Sequence, residues 1–379
     1  MRSFSRFLAV TGAAALAAVA PATAAAAHPG GFHHGPDQAV FVQTNDPAGN
    51  AVLVYDRAPD GTLSPAGTYP TGGKGGAQTG AVVDPLASQG SVVYDAASHV
   101  LLVTNAGSDS VSLFGVDGDA LQLRQVVPSG GAFPTSIAVH GDLVYVLDTG
   151  NSANLQGYRL LAGRLFPISG SRRALGIANA NPPQFLASPG QIGFSPFGTH
   201  LVVTTKATGT IDVFGVFPSG RLTAATANPP AGLVPFAFSF DSYGHLVVVE
   251  AGTNSVSTYR IRWNNSLDVL SGPVSDGQAA ACWIAAEGNG NFYVANAGSA
   301  TLSVYHVAAD GTVSLLPSTA TTAGGPIDLV VSPDGRFVYS ENGGAGTIDE
   351  FRVEGNGSLT PIGQITGLQA HVIEGLAAS

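Results

Sequence analysis

Short strand-like runs that end in an aromatic residue recur through the whole of this 379-residue chain. A small turn with Gly or Asn follows each run and leads to a hydrophobic residue, and a segment rich in β-branched residues precedes it. The aromatic positions, spaced about 45 to 60 residues apart, are Tyr55, Phe114, Tyr158, Phe214, Tyr259, Tyr305 and Phe351. Each unit has the pattern of about four short strands. Seven such units constrain the fold more than any other feature of the sequence.

Seven four-stranded units at this spacing are typical of an all-β fold, the seven-bladed β-propeller with antiparallel blades. The first unit begins at Ala39 with a segment that matches the second strand of the other units, so its innermost strand is missing. Residues 371–379 follow the last outer strand and have the pattern of an inner strand. We therefore predict that the C-terminal strand closes the ring beside residues 40–44 and leaves no exposed edge there.

Residues 1–27 have the order of a secretory signal peptide: Arg2 and Arg6, then an apolar stretch, then small residues suited to cleavage. A membrane anchor is the alternative, but the apolar stretch is short and Pro and Gly follow it at once. No later run approaches the roughly 18 apolar residues that a spanning helix needs. We expect a secreted protein with a flexible linker at 28–38, the propeller at 39–379 and no membrane span in the mature chain.

Composition narrows the class of partner. The formal net charge of −10 argues against nucleic acid and anionic membrane surfaces. The single cysteine, Cys282, excludes an intramolecular disulfide and a cysteine-based zinc site. We expect a monomer whose partner is a small-molecule substrate or an extracellular ligand.

Strand counting identifies the face of the ring that carries function. In a four-stranded meander, the loops between second and third strands share one face, here called the upper face, with the loops between blades. Two of the loops between blades are long, at residues 72–89 and 169–188. Long loops on a compact scaffold are disproportionately functional. We predict a ligand site at the upper mouth of the central channel, overhung by both loops.

One polar residue ends the second strand of every unit: Asn45, Asn105, Asp148, Thr205, Glu250, Asn296 and Asn342. A ring of oxygen ligands for Ca²⁺ is one reading. The other is that these side chains satisfy the backbone of the adjacent turn. The recurrence in nearly every blade favours the turn, so we expect no cofactor, with a divalent cation as the weaker alternative.

Departures from this pattern supply the candidate site, because ionisable groups near a channel mouth are often functional. Lys206, one of two lysines, is expected to face Glu250 of the next blade, either as an acid–base pair or as an inter-blade ion pair. Trp283 begins an inner strand and offers a ring for stacking. The candidate ligand-binding residues are Gln191, Lys206, Glu250, Trp283, Asp148 and Arg173, and no catalytic residue is assigned.

Three motifs carry a family resemblance: LLVTNAGSDSVSLF, FYVANAGSATLSVY and VSPDGRFVYSENGGAGTIDEF. They resemble the seven-bladed lactonase family, which includes 6-phosphogluconolactonases and fungal carboxymuconate lactonizing enzymes, and the related YVTN surface-protein propellers. The resemblance spans residues 39–379. It implies a lactonase-like hydrolase or cycloisomerase acting at the upper end of the channel.

The family's catalytic positions are not matched. Family enzymes carry Pro-Arg-His at the start of a central blade and Asn-Glu after its second strand. This chain has Pro189, Gly190 and Gln191 at the first place and Thr205 and Lys206 at the second. A non-catalytic binding propeller of the cell envelope or extracellular space therefore stays open beside the lactonase-like function.

Overall fold

Each of the seven units forms one antiparallel sheet in the computed structural model, which describes residues 38–379. The predicted signal peptide at 1–27, and the predicted linker up to residue 37, lie outside the described residues. The sheets are arranged as the blades of a ring, so the predicted seven-bladed propeller is confirmed.

The strands follow in chain order. Blade 1 contains β1 (Ala39–Gln43), β2 (Ala51–Arg57) and β3 (Leu63–Pro70), and blade 2 contains β4 (Val92–Asp95), β5 (Val100–Asn105), β6 (Ser110–Asp117) and β7 (Ala120–Pro128), with a 3₁₀ turn at Ala106–Ser108. Blade 3 contains β8 (Ala132–His140), β9 (Leu143–Gly150), β10 (Ser152–Leu161), β11 (Arg164–Pro167) and β12 (Arg173–Ala178). Blade 4 contains β13 (Pro189–Phe194), β14 (His200–Thr205), β15 (Thr210–Gly215) and β16 (Thr226–Asn228).

The remaining three blades are regular. Blade 5 contains β17 (Pro235–Phe240), β18 (Leu246–Glu250), β19 (Ser255–Ile261) and β20 (Leu267–Ser275), and blade 6 contains β21 (Ala281–Ala286), β22 (Asn291–Asn296), β23 (Thr301–Val307) and β24 (Val313–Thr321). Blade 7 contains β25 (Pro326–Val331), β26 (Phe337–Asn342), β27 (Thr347–Val353) and β28 (Leu359–Ile365), and the last strand is β29 (Leu376–Ala378).

The ring closes as the sequence predicts. Strand β29 pairs antiparallel with β1, with Val40 opposite Ala378 and Val42 opposite Leu376. The last strand of the chain is therefore the innermost strand of the first blade. This pairing covers the edge that β1 would otherwise expose.

Burial explains the strand pattern. The second strands are buried on both faces because each lies between neighbouring blades, and β5, β9, β18, β22 and β26 are buried at every position. Outer strands such as β24 alternate between buried and exposed residues, as expected where one face meets solvent. The seven aromatic positions that end the third-strand runs are all buried between the blades. Among residues 38–379, no helix is long and apolar enough to cross a membrane.

Candidate functional site

The first long loop crosses the channel at its upper end. This 71–91 segment reaches blades on different sides of the ring: the N–H of Gln89 donates to the carbonyl of Gly190 in blade 4 at 3.2 Å. The Gln89 side chain makes a two-way pair with the backbone of Ile284 in blade 6, with Nε2 donating at 2.7 Å and Oε1 accepting at 3.0 Å. The predicted upper mouth is therefore covered by the chain itself.

The second long loop meets the first. The N–H of Thr79 donates to the carbonyl of Pro183 at 2.8 Å, and the N–H of Phe185 donates to the carbonyl of Thr79 at 3.0 Å. Both long loops thus lie over the same mouth. The second loop places the ring of Phe185 above Lys206, with the Lys206 Nζ 5.1 Å from the ring centroid.

Lys206 is enclosed by this arrangement, although the sequence predicts a place at an open mouth. The residue is 7% exposed, and its Nζ also lies 5.1 Å from the centroid of Phe236. Nζ donates a hydrogen bond to the carbonyl oxygen of Ala87 at 2.7 Å. Burial lowers the pKa of Lys206 to about 8, and the nearby Asp84 and Glu374 oppose that shift.

Two carboxyl groups meet beside this ammonium group. Asp84 Oδ1 and Glu374 Oε2 both accept from the N–H of Leu86, at 3.0 and 3.3 Å, so they lie next to each other. Both residues are buried. Burial raises the pKa of Glu374 well above its usual range, and Asp84 raises it further. Burial also raises the pKa of Asp84, while Lys206 favours its ionised form.

Blade 7 adds two more buried carboxyl groups. Glu341 is fully buried, and neither of its carboxyl oxygens has a hydrogen-bond partner. Asp328, its backbone partner across β25 and β26, accepts from the N–H groups of Leu329 at 2.8 Å and Leu376 at 3.0 Å. Burial raises the pKa of Asp328 to about 7 and that of Glu341 well above its usual range. We call Asp84, Asp328, Glu341 and Glu374, with Lys206, the channel cluster.

Glu250 is not part of the channel cluster. The side chain is fully buried within its own blade, where Oε2 accepts from Ser255 at 3.2 Å and from Ser257 at 2.8 Å, and Oε1 accepts from Tyr259 at 2.5 Å. The expected pairing of Lys206 with Glu250 is wrong. Three hydroxyl groups on the adjacent strand satisfy this carboxylate, so it needs no lysine.

Trp283 lies under the 71–91 segment. Its Nε1 donates to the carbonyl of Ser88 at 3.0 Å, and its ring meets Phe236 edge-on at a centroid distance of 5.2 Å. The neighbouring Cys282 is half-buried, and burial raises the pKa of its thiol to about 12. The thiol is therefore protonated at neutral pH, which disfavours a nucleophilic role.

Gln191 lines the channel below the cluster. Its Oε1 accepts from the N–H of Phe238 at 2.7 Å, which fixes the amide across two inner strands. A cavity of about 430 Å³ extends from Gln89, Gln191 and Asp328 along the inner strands toward the lower face. Its other walls are mainly apolar, so Gln191 is the candidate residue best placed to face a molecule inside the channel.

Arg173 does not overhang the mouth, contrary to expectation. Residue 173 begins β12, which pairs with the outer part of blade 3, and Arg173 donates to the carbonyl of Leu222 in blade 4. Lys74 is exposed beside the 3₁₀ turn of blade 2, with its N–H donating to Ser108 at 2.9 Å. The Arg173 side chain is bound to blade 4 and the Lys74 backbone to the turn of blade 2, and neither cation is among the charges that act on the cluster.

Asparagines that end second strands bind hydroxyl groups on the third strand of their blade, not the turn backbone that the sequence pattern favours. Asn105 Nδ2 donates to Ser112 at 2.8 Å, and Asn296 Nδ2 donates to Ser303 at 2.9 Å, each seven residues later. Asp148 differs: it is fully buried and neither carboxyl oxygen has a hydrogen-bond partner. Burial raises the pKa of Asp148 to about 7. Asp148 lies in blade 3, apart from the channel cluster.

The place of the family arginine has no room for a side chain. A Cβ added to Gly190 would lie 2.6 Å from the carbonyl oxygen of Phe236, closer than Cβ atoms approach backbone.

Within residues 38–379, no group of three or more His, Cys, Asp and Glu side chains is arranged to hold a metal ion. The site is thus one ammonium group among carboxyl groups.

Sequence reasoning missed Asp84, Asp328, Glu341 and Glu374. Asp84 stands in a long loop without periodicity, and Glu374 precedes the closing strand. The one signal available was indirect: each carboxyl group belongs to, or adjoins, a segment predicted to reach the upper face. Their meeting depends on the path of the 71–91 segment, which strand counting does not give.

The class of protein follows from this geometry: a seven-bladed propeller with an ionisable cluster in its central channel. Residues 265–373 match the family model described as Lactonase, 7-bladed beta-propeller. The resemblance to this family that the sequence motifs suggest is therefore confirmed over these residues, which run from the outer strand of blade 5 through blade 7. No curated protein matches it in sequence.

Similar structures cover nearly the whole ring. A putative 6-phosphogluconolactonase from Bacteroides fragilis superposes with a TM-score of 0.69 at 17% identity, covering 92% of this chain and 99% of that one. The periplasmic gluconolactonase of Pseudomonas aeruginosa gives 0.67 at 17% identity, covering 90% and 98%. A Lactobacillus plantarum protein gives 0.69 at 17% identity, covering 90% and 99%. At this identity the likeness establishes the fold alone.

Proposed function

We propose that this protein is a lactonase-type hydrolase that acts on a small neutral lactone at the channel cluster. The observation that carries the proposal is the contact between Lys206 Nζ and a carbonyl oxygen, that of Ala87, at 2.7 Å. An ammonium group that binds one carbonyl oxygen in a water-poor site is suited to bind another. Glu374, beside it, is a carboxyl group whose raised pKa makes its carboxylate a stronger base than an ordinary glutamate.

The chemistry follows from these two groups. With the Ala87 carbonyl displaced, the Lys206 ammonium group donates to the lactone carbonyl oxygen. The Glu374 carboxylate takes a proton from water as the water oxygen bonds to the carbonyl carbon. The ring C–O bond then breaks, and the proton passes from Glu374 to the leaving alkoxide. Lys206 supplies electrostatic stabilisation of the oxyanion, which is often the largest single contribution to such a reaction.

The charge around Lys206 supports a neutral substrate. Asp84 and Glu374 lie beside the one ammonium group, and Asp328 and Glu341 lie near these two carboxyl groups. Every added negative charge would be repelled by the ionised members. A phosphorylated sugar lactone carries two such charges near neutral pH. We therefore expect a preference for sugar or aliphatic lactones without phosphate.

Turnover of a lactone panel tests this function. We expect the wild-type protein to release acid from neutral sugar δ-lactones faster than from a phosphorylated sugar lactone, measured by pH-stat. Lys206→Met should lower kcat by roughly 100-fold or more, as loss of one oxyanion donor does. Lys74→Met is the matched control, because Lys74 is the other lysine, its side chain is exposed, and it is not among the charges that act on the cluster. Equal turnover by both variants would contradict the assignment.

A non-catalytic binding propeller is the second candidate, and one observation favours it. The 71–91 segment closes the upper mouth through hydrogen bonds to blades 4 and 6. If no lactone is hydrolysed by the wild-type protein between pH 5 and 9, the binding function takes precedence.

We also infer export from the cell, on the basis of residues 1–27, which carry the order of a signal peptide. The expected mature protein begins between Ala25 and His28. Sequencing the N-terminus of protein recovered from the culture medium checks this expectation. An intact Met1 on the released protein would contradict it.

A further inference from the structure

The 71–91 segment blocks both groups of the proposed site at once. Its Ala87 carbonyl accepts from Lys206 Nζ, and its Asp84 carboxyl group lies against Glu374 at the shared N–H of Leu86. A substrate carbonyl and an attacking water would need these same two places. The segment as placed is therefore an autoinhibitory cover whose own polar groups occupy the site.

Holding the cover closed brings too many carboxyl groups together for all of them to ionise. Asp84 belongs to the cover and lies near four other ionisable groups. They are Glu374, which precedes β29, Glu341 and Asp328 of blade 7, and Lys206 of blade 4. One ammonium group balances one carboxylate of the four. The others are favourable only as neutral acids, since like charges and burial both oppose ionisation.

The other titratable groups at the cover are few. The thiol of Cys282 in blade 6 also faces Asp84 and Lys206. His371 Nδ1 pairs with the carbonyl oxygen of Val82 at 2.8 Å on the exposed side of the segment. The Cys282 thiol is neutral across this pH range, and His371 is exposed, so solvent screens it from the buried carboxyl groups.

We propose that the 71–91 segment is a proton-controlled lid, closed while the carboxyl groups of the channel cluster hold their protons and released when they ionise. Opening would expose Lys206 and Glu374. The role of the lid in controlling catalysis therefore rests on the proposed function, whereas its movement with pH does not. Glycines with positive φ stand near both ends of the segment, Gly72 at 78° and Gly90 at 89°, and give it places to bend.

The direction of the pH response follows from the carboxyl groups. Their pKa values are raised in the closed state, so closure binds protons and is favoured at low pH. Asp328, at about 7, sets the window: the lid weakens as the pH rises through neutrality. If the pKa of a carboxyl group falls by one unit when the lid opens, ionisation of that group shifts the equilibrium between closed and open lid about tenfold toward the open state. Lys206 acts oppositely above about 8, where loss of its charge favours closure.

Trp283 reports the position of the lid, because its Nε1 donates to the Ser88 carbonyl within the segment. The chain has two tryptophans, and Trp263 is 91% exposed. In a Trp263→Phe background, acrylamide quenching of Trp283 is measured from pH 5 to 9. We expect quenching to rise about threefold or more across neutrality while far-UV circular dichroism stays constant, since the opening constant changes at least tenfold.

Two matched variants assign the effect to the cluster. Glu341→Gln removes a fully buried carboxyl group without hydrogen-bond partners and should move the rise in quenching to higher pH. Glu350→Gln is the control, because Glu350 is also in blade 7 and burial also raises its pKa to about 7, but it lies apart from the lid. His371→Gln should leave the profile unchanged.

Three results would overturn the lid. Quenching of Trp283 that stays constant from pH 5 to 9, a Glu341→Gln profile equal to that of the parent, or an identical shift in Glu350→Gln each contradicts it. The measurement uses no lactone, so lid failure is distinguishable from failure of the proposed hydrolysis. A protein that opens but hydrolyses nothing would retain the lid and lose the lactonase.

Discussion

Truncation after His371 is expected to abolish the native propeller. The deletion removes β29, whose residues pair with β1, and it also removes Ser379, whose Oγ accepts from the N–H of Ala39 at 3.0 Å. Burying Ile373 and Leu376 contributes about 1.5–3 kcal/mol each, and both are nearly fully buried. With the hydrogen bonds, this loss approaches the whole stability of a typical protein, about 5–15 kcal/mol.

The truncation also creates an aggregation-prone edge. Without β29, the fully buried residues Val40, Phe41 and Val42 become an exposed apolar strand edge. We expect insoluble protein, or a soluble fraction without a cooperative melt, measured by light scattering and circular dichroism. Removing Ser379 alone is the control and should lower the melting temperature only slightly. A truncated protein with unchanged melting would show that closure by β29 is dispensable.

The fold was predictable because the strands and turns of each blade are specified by residues that lie close together in the sequence. The run that ends at Tyr305 specifies a strand, a turn and a buried anchor within about 45 residues, and six other runs repeat this. The closing strand was predictable for a similar reason: an incomplete first unit and a surplus segment at 371–379 match each other. Neither inference needs the path of a loop.

The channel cluster was not predictable by the same means. Glu374 and Asp84 are 290 positions apart in sequence, and only the irregular 71–91 segment brings them together. Lys206 was identified as exceptional, but its partner was assigned to the nearest unusual carboxyl group. Strand counting gives the neighbouring blades of Lys206, but the carboxyl groups closest to it come from the 71–91 segment and from the residues before β29.

The surroundings of Glu250 are encoded in the sequence of its own blade. Ser255, Ser257 and Tyr259 follow it at five, seven and nine positions, and all three donate to its carboxyl group. Hydroxyl groups at these positions point to a satisfied carboxylate inside its own blade. The same reading identifies Asp148 as the exception, because Ala153 and Leu155 occupy the first two of these places.

Asp148→Asn is therefore expected to stabilise the protein above neutral pH. Burial raises the pKa of Asp148 to about 7 in the folded protein, above the ordinary value of 3.8. The folded state then binds more protons than the unfolded state between these values, so stability falls as the pH rises from about 4 to 7. Three pKa units correspond to roughly 4 kcal/mol. Asparagine removes this loss, and Asn already ends the second strand in four other blades.

Urea unfolding at pH 5 and pH 8 measures the difference. We expect the free energy of unfolding of Asp148→Asn to exceed that of the wild-type protein by roughly 2 to 4 kcal/mol more at pH 8 than at pH 5. Ala153→Ser is the companion variant, since Ser255 at the matching place donates to Glu250. A hydroxyl group at 153 would stabilise the Asp148 carboxylate, lower its pKa and reduce the pH dependence without removing the charge. If both variants track the wild-type protein at both pH values, Asp148 is already compensated in solution, and the buried carboxyl group is not the source of the pH dependence.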